Sequence, residues 1–350
     1  MIKIISIFRT FNGLDDAYFY SHLNTLKDAK QVEFINFDDT TFVDFQTTNF
    51  ASRLARKMVR KKQIGHFNEV IVDYIESFKP NFIVCFKAHN LLSSTVLLAK
   101  KRNIKIVVIY PDLEPKIHGN DYLKLLKLAD LLIYTKPNLK DYFETLSANS
   151  ICVNPFYASS QIKKIIDYDP NIGVSFIGHH SKDKQKLITA LSESIDSNIT
   201  IYGDRWDGNI QKTHRLHVHP AIYGPPVAEI YQKSLFVLGL LTERLDSFKD
   251  GDVITSRSVQ ISINGGLLTH PRNLYSEQFF GIENTMLFDT IESVCEIHKR
   301  LLNDLELRQQ LFEQQQAIVI KKGTNIELLI NNIINNFEKG NYNIFDIFQR

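Results

Sequence analysis

The sequence predicts an α/β protein made of two successive doubly wound domains, and three observations lead there. Short β-branched runs alternate with helical patterns almost from end to end, the order that gives parallel sheets covered by helices. Several of these runs are apolar on both faces, as strands buried on both sides must be. The chain has 350 residues, more than one hydrophobic core comfortably fills, and a proline-flanked segment breaks the rhythm near the middle.

In the first half the strand-like runs are IKIISIF (2–8), VEFINF (32–37), FIVCF (82–86), IKIVVIY (104–110), LLIYT (131–135) and SICV (150–153). Helical patterns fall between them at 15–28, 49–78, 91–102, 120–129 and 138–146. After Cys152 comes NPFYASSQIKKIIDYDPN, with proline near both ends, which reads as a crossing between domains. A second series follows with GVSFIG (173–178), NITIYG (198–203), SLFVLGLL (234–241), GLLTH (266–270) and TMLFD (285–289). Its helices are expected around 182–195, 226–234, 257–263 and 290–317, and an amphipathic helix at 324–338 closes the chain. The expected domains are therefore 1–157 and 171–323, joined by a linker at 158–170 and followed by a helix and tail at 324–350. No repeat of solenoid length is present.

Composition narrows the function classes. A formal charge of +2 argues against a generally basic nucleic-acid binder. Cys85, Cys152 and Cys295 are far apart and show no CxxC pairing, which fits buried free thiols in a reducing compartment. No apolar run approaches the roughly 18 residues that span a bilayer. MIKIISIF is interrupted by Arg9 before it could form a secretory core, so it reads as a first strand. A cytoplasmic protein is expected, at most peripheral at the inner face of the membrane.

Motifs exclude more. The first βα turn, IFRTFNGLDD, lacks GxGxxG, so the close backbone approach of a dinucleotide site is missing. There is no GxxxxGK[ST], GxSxG or HExxH. HRLHVHP (214–220) could bring His217 and His219 to one strand face, but no acidic or cysteine partner sits at ligand spacing, and no metal site is expected. RLARKMVRKK (53–62) holds six basic residues and no acidic one. Leu54, Met58 and Val59 are spaced to form an apolar stripe, leaving the cations on a solvated face or against an anionic membrane surface.

The most informative stretch is DVITSRSVQISINGGLLTHP, Asp252 to Pro271. With GVSFIGHHSKDKQKLITAL, ITIYGDRW and YGPPVAEIYQKSLFVLGL, in that family order across roughly 173–320, it resembles the spore-coat-type (CgeB-like) branch of the GT-B glycosyltransferases, related to glycosyltransferase family 1- and 4-type enzymes. KPNFIVCFKAHN, VVIYPDLEP and ADLLIYTKP extend the resemblance loosely into the first half. It implies two Rossmann-like domains facing a cleft, with the donor mainly on the second and the acceptor on the first. It implies transfer of a sugar from a UDP- or GDP-linked donor to a glycan or lipid-linked acceptor in surface polysaccharide or glycoconjugate synthesis. Neither a metal nor another cofactor is implied, nor a nucleic-acid partner.

Site residues follow from the same blocks. In the family pattern an acidic residue is followed eight positions later by glutamate; here these are Asp252 and Gln260, an uncharged departure at a ribose-contact position. Thr255, Ser256 and Arg257 open a helix whose N-terminal amides and dipole suit a diphosphate. Gly265, in Asn264-Gly265-Gly266, is expected to end that helix in a left-handed cap and allow a close backbone approach to ligand. Gly178, His179, Lys184, Gly203, Asp204 and Arg205 complete the expected donor contacts. In the first domain Asp112 is the expected general base toward an acceptor hydroxyl, with His89 and His118 behind it. The rivals are a GT-B-fold sugar-nucleotide epimerase, a glycerophosphate-type transferase, and a non-catalytic sugar-nucleotide-binding protein.

Overall fold

Each strand series forms one six-stranded parallel sheet. The structure is a computed structural model and describes residues 1–11, 15–43, 51–208, 210, 213–241, 251–282, 284 and 286–337, with backbone only for 51–57. Two compact units result, Met1–Val153 with Ile326–Arg350, and Asn154–Asn325.

The first unit carries β1 (Ile2–Ile7), β2 (Val32–Asn36), β3 (Phe82–Phe86), β4 (Lys105–Tyr110), β5 (Leu131–Tyr134) and β6 (Ser150–Cys152), in the order β2-β1-β3-β4-β5-β6. Its helices are α1 (Asp15–Asp28), α2 (Ala51–Phe78), α3 (Ser93–Lys101), α4 (Asn120–Leu128) and α5 (Lys140–Leu146). Strand β3 is buried along its whole length, which explains why FIVCF shows no alternation.

Between the sheets' chain segments lies β7 (Phe156–Tyr157). The second unit then builds β8 (Val174–Ile177), β9 (Ile199–Tyr202), β10 (Leu216–His219), β11 (Val237–Leu238), β12 (Leu268–Pro271) and β13 (Leu287–Phe288), ordered β10-β9-β8-β11-β12-β13. Helices α6 (Lys182–Ser194), α7 (Pro225–Lys233), α8 (Ser256–Ile263), α9 (Leu274–Phe280), α10 (Ile291–Asn303) and α11 (Leu305–Lys322) cover it. Strand β14 (Thr324–Asn325) pairs with β7, and α12 (Ile326–Phe337) follows.

Four readings of the sequence change. Residues 158–170 are no free linker: Lys163 N–H donates to Ile263 O at 2.8 Å, and Gln232 Nε2 to Lys164 O at 2.8 Å, so this backbone is bound into the second unit. The closing helix returns to the first unit, where α12 packs on α1 and His22 Nε2 lies 3.1 Å from Asn331 Oδ1. The single helix expected at 290–317 is two, because Asp304 leaves the helical conformation and caps α11 by accepting the Leu307 N–H at 2.9 Å. In the basic run, Met58 and Val59 are 68% and 53% exposed, so they form no packed stripe. The residues of α2 that do pack come later, Phe67, Ile71 and Ile75 at helical spacing. The side chains of Arg53, Leu54, Arg56 and Lys57 lie outside the described residues.

Candidate active site

In the second sheet the chain winds outward from β8 to β10 and then returns on the other side of β8 as β11. Ligands of open parallel sheets bind beyond the strand C-termini where the order reverses in this way. Gly178 lies just past β8 and Leu240 just past β11, and Arg257, in the first turn of α8, reaches both. Its Nη1 donates to Leu240 O at 2.8 Å, and its guanidinium lies 5.4 Å from the Phe176 ring centroid. A Cβ on Gly178 would stand 2.8 Å from Arg257 Nη2, so the glycine makes room for the guanidinium. Gly203, past β9, is as tightly placed: a Cβ there would meet Gly178 O at 2.0 Å. The same carbonyl accepts the Trp206 indole N–H at 2.8 Å, and Trp206 is fully buried. Gly178, Gly203, Trp206 and Arg257 thus form one fitted group.

The start of α8 is held from beneath. Ser258 Oγ accepts the Thr255 N–H at 3.2 Å, closing the first turn. Buried His270, at the end of β12, lies with Nε2 3.0 Å from Ser258 Oγ and Nδ1 2.7 Å from Pro271 O. A carbonyl only accepts, so Nδ1 carries the proton, and Nε2 accepts from the Ser258 hydroxyl. Burial pushes the His270 pKa down to about 4, so the ring is neutral when it does this.

The other expected donor residues spread around this edge. Lys184 is half-buried in the first turn of α6, which starts directly after β8. His179 and Asp204 form an exposed pair, Nδ1 to Oδ2 3.4 Å, and Arg205 is exposed with φ +66°. Asp252 and Gln260 are half-buried, Gln260 one turn along α8 from Arg257. Gly265 has a different duty from the one expected. It has φ +91°, but a Cβ there would strike Lys164 O at 2.5 Å, so its close approach is to the chain's own backbone at the far end of α8. Asn264 before it has φ −85° and is not left-handed. Trp206, Ser258 and His270 were missed by sequence reasoning. The chain's lone tryptophan beside Gly-Asp-Arg was the available signal for the first; serine and histidine acquire their roles only through a contact 12 residues apart.

The first sheet reverses its order between β1 and β3, and the expected catalytic residues gather at that edge. Lys87 and Ala88, past β3, take φ +61° and +53°, uncommon values for residues with side chains. The turn is held by Lys87 N–H on Ile109 O at 2.9 Å and by Tyr122 Oη on Lys87 O. It brings Lys87 Nζ to 2.9 Å from Asp112 Oδ2 and stacks His89 on His118, ring centroids 3.5 Å apart. Nitrogen and oxygen atoms of His89, Asp112 and His118 lie within 4.8 Å of one another. The tuning is poor for a base, which works best with a pKa near the working pH. Burial raises the Asp112 pKa, but the Lys87 charge and hydrogen bond outweigh it and leave the carboxyl below its ordinary value. Burial, with His118 and Lys87 nearby, takes His89 down to about 3. HRLHVHP contributes β10, where His219 stacks on Tyr202 at 4.8 Å. Among the described residues the group with metal-ligand spacing is the first unit's, not this one.

Two successive Rossmann-like α/β units of this kind make up the GT-B fold. Residues 182–329, most of them in the second unit, match a family model described as glycosyl transferase-like. Solved structures of similar fold include a trehalose-6-phosphate synthase studied with bisubstrate glycomimetics (12% identity, 96% of this chain and 99% of that one, TM-score 0.60). An α-glucosyltransferase in complex with UDP and a mismatch-containing DNA is similar at 13% identity, 100% of both chains and TM-score 0.58. The UDP-GlcNAc 2-epimerase from Neisseria meningitidis bound to UDP-GlcNAc is similar at 11%, 96% and 100%, and TM-score 0.54. No curated protein sequence matches the chain.

Proposed function

We propose that this protein transfers a glycosyl group from a nucleoside-diphosphate sugar to a glycan or lipid-linked acceptor. The observation that carries the reading is the fitted group of Arg257, Gly178 and the α8 N-terminus at the reversal point of a glycosyl transferase-like domain. As the bond from the anomeric carbon to the diphosphate oxygen breaks, negative charge grows on the leaving diphosphate. Fixed donors at a helix N-terminus and a guanidinium stabilise that charge without reorganising. Lys184 adds a cation from the start of α6. Uridine is the first base to try, since UDP or a UDP-sugar is bound in two of the similar structures. Gln260 can hydrogen-bond a ribose hydroxyl but brings no charge to it.

The test is turnover with a panel of UDP- and GDP-sugars, with and without glycan and lipid-linked acceptors. Nucleoside diphosphate released in step with a glycosylated product supports transfer. Interconversion of the donor sugar without acceptor supports epimerisation, a reading favoured by similarity to the 2-epimerase fold. Binding without turnover leaves a sensor.

Arg257→Ala should weaken nucleoside-diphosphate binding by about 1.5–3 kcal/mol, roughly ten- to a hundredfold, as charge-assisted hydrogen bonds to phosphate are lost. Calorimetry on a folded variant measures this, and binding by the wild type should be unchanged in excess EDTA. Equal affinities for variant and wild type, or loss on chelation, would remove the phosphate role from Arg257.

The lipid-linked acceptor is motivated by α2, where Met58 and Val59 stand exposed beside exposed Arg60, Lys61 and Lys62. Each cation close to an anionic leaflet contributes about 1 kcal/mol. Co-sedimentation with phosphatidylserine vesicles should therefore fall steeply with salt, and should drop when these three cations are replaced by glutamine. Sedimentation that ignores both salt and the replacements would leave a merely solvated face.

A further inference from the structure

We propose that His89, Asp112 and His118 form a binding site for a divalent transition-metal ion of the zinc type. Two imidazoles and a carboxylate are the ligand set that zinc-like ions take, and three protein ligands leave a fourth position open. The spacing is near what is needed. Ligand atoms about 2.1 Å from a tetrahedral ion stand about 3.4 Å from one another. Here they lie within 4.8 Å, so side-chain movement of an ångström or so closes the shell.

The independent observation is the state of the two rings. His89 Nε2 and His118 Nε2 are both buried and neither has a hydrogen-bond partner. A buried polar nitrogen without a partner costs about 1–3 kcal/mol, and two side by side mark a place where something is to be bound. An ion takes the lone pairs of both at once.

Two features set how the ion enters. The rings are stacked at 3.5 Å and 15°, and parallel rings cannot both point an in-plane lone pair at one centre. Binding must turn at least one ring and open the stack, beside Tyr122, which lies edge-on to both at 5.4 and 5.2 Å. The second feature is Lys87, whose ammonium holds Asp112 Oδ2 at 2.9 Å. It leaves the carboxylate's other oxygen for the ion but repels a cation. Lys87 is therefore a competitor, and its removal should tighten binding.

The test uses the full-length protein, stripped with chelator and dialysed, titrated with Zn2+ against a chromophoric competitor. Expected are one strong equivalent per chain, loss of affinity by about tenfold or more in both His89→Ala and His118→Ala, and a gain in Lys87→Met. Replacing His217 and His219 together by alanine should leave that equivalent unchanged. The Lys87→Met arm keeps every proposed ligand, so it reports even if a histidine variant folds poorly. The proposal fails if wild type takes up no stoichiometric Zn2+. It fails equally if folded His89→Ala and His118→Ala bind as wild type does, or if Lys87→Met binds more weakly.

Discussion

Arg308→Ala is expected to destabilise the second unit by about 4 kcal/mol, lowering its melting temperature by about 10 °C. Arg308, on α11, is only 4% exposed, and burial takes its pKa down to about 10, so it is charged at neutral pH. Among the described residues its guanidinium donates to backbone carbonyls alone: Ile166 O at 2.8 Å, Gln232 O at 2.7 Å, Ser234 O at 2.6 Å and Leu235 O at 3.1 Å. These belong to the segment expected as a linker, to the end of α7 and to the approach to β11. One side chain therefore ties α11 to the strand that flanks the reversal point. Truncation strands several buried acceptors together, each worth about 1–3 kcal/mol before water enters. Arg308→Lys keeps the charge but not the planar fork, and should recover less than half. Calorimetric melts of the three proteins measure this; a loss below 1 kcal/mol would show that the carbonyls find other partners.

Acid should destabilise the protein through His270, by about 3 kcal/mol between pH 6.5 and 4. The folded pKa, about 4 through burial, lies below the ordinary 6.5. Between these values the unfolded chain binds a proton that the native ring does not. Stability from this group is thus full above pH 6.5 and is lost as pH falls toward 4. His270→Gln keeps a side-chain amide near the Ser258 hydroxyl and cannot titrate. Its stability at neutral pH should be lower, yet the difference from wild type should shrink as pH falls. Denaturant titrations at several pH values measure it, and parallel curves would assign the acid sensitivity to other groups. Because Ser258 closes the first turn of α8, nucleotide binding by the variant also reports whether His270 positions that turn.

Much of the fold was legible because burial on both faces leaves a run such as FIVCF with no polar residue, and helix-period patterns survive between such runs. What failed did so for local reasons. Asp304 splits a long helical pattern by capping with its own side chain, and Asn273 starts an unexpected α9 by accepting the Tyr275 and Ser276 N–H groups at 3.0 Å. The proline-flanked crossing suggested a linker, since nothing in its composition tells that Arg308 and Gln232 satisfy its carbonyls from elsewhere in the chain.

The candidate site divides in the same way. The sequence by itself determined the two parallel-sheet units, the helix opened by Ser256 and Arg257, and the placing of Gly178 and Gly203 at strand ends. Those follow from chain periodicity and from where α/β connections must run. Only the tertiary structure decided that Gly178 is small for the sake of Arg257, that Gly265 serves packing, and that His270 backs Ser258. It alone stacked His89, from the turn after β3, on His118, which shares the connection after β4 with Asp112. Side chains far apart in the chain meet through sheet order and strand register, and no spacing along the sequence records that distance.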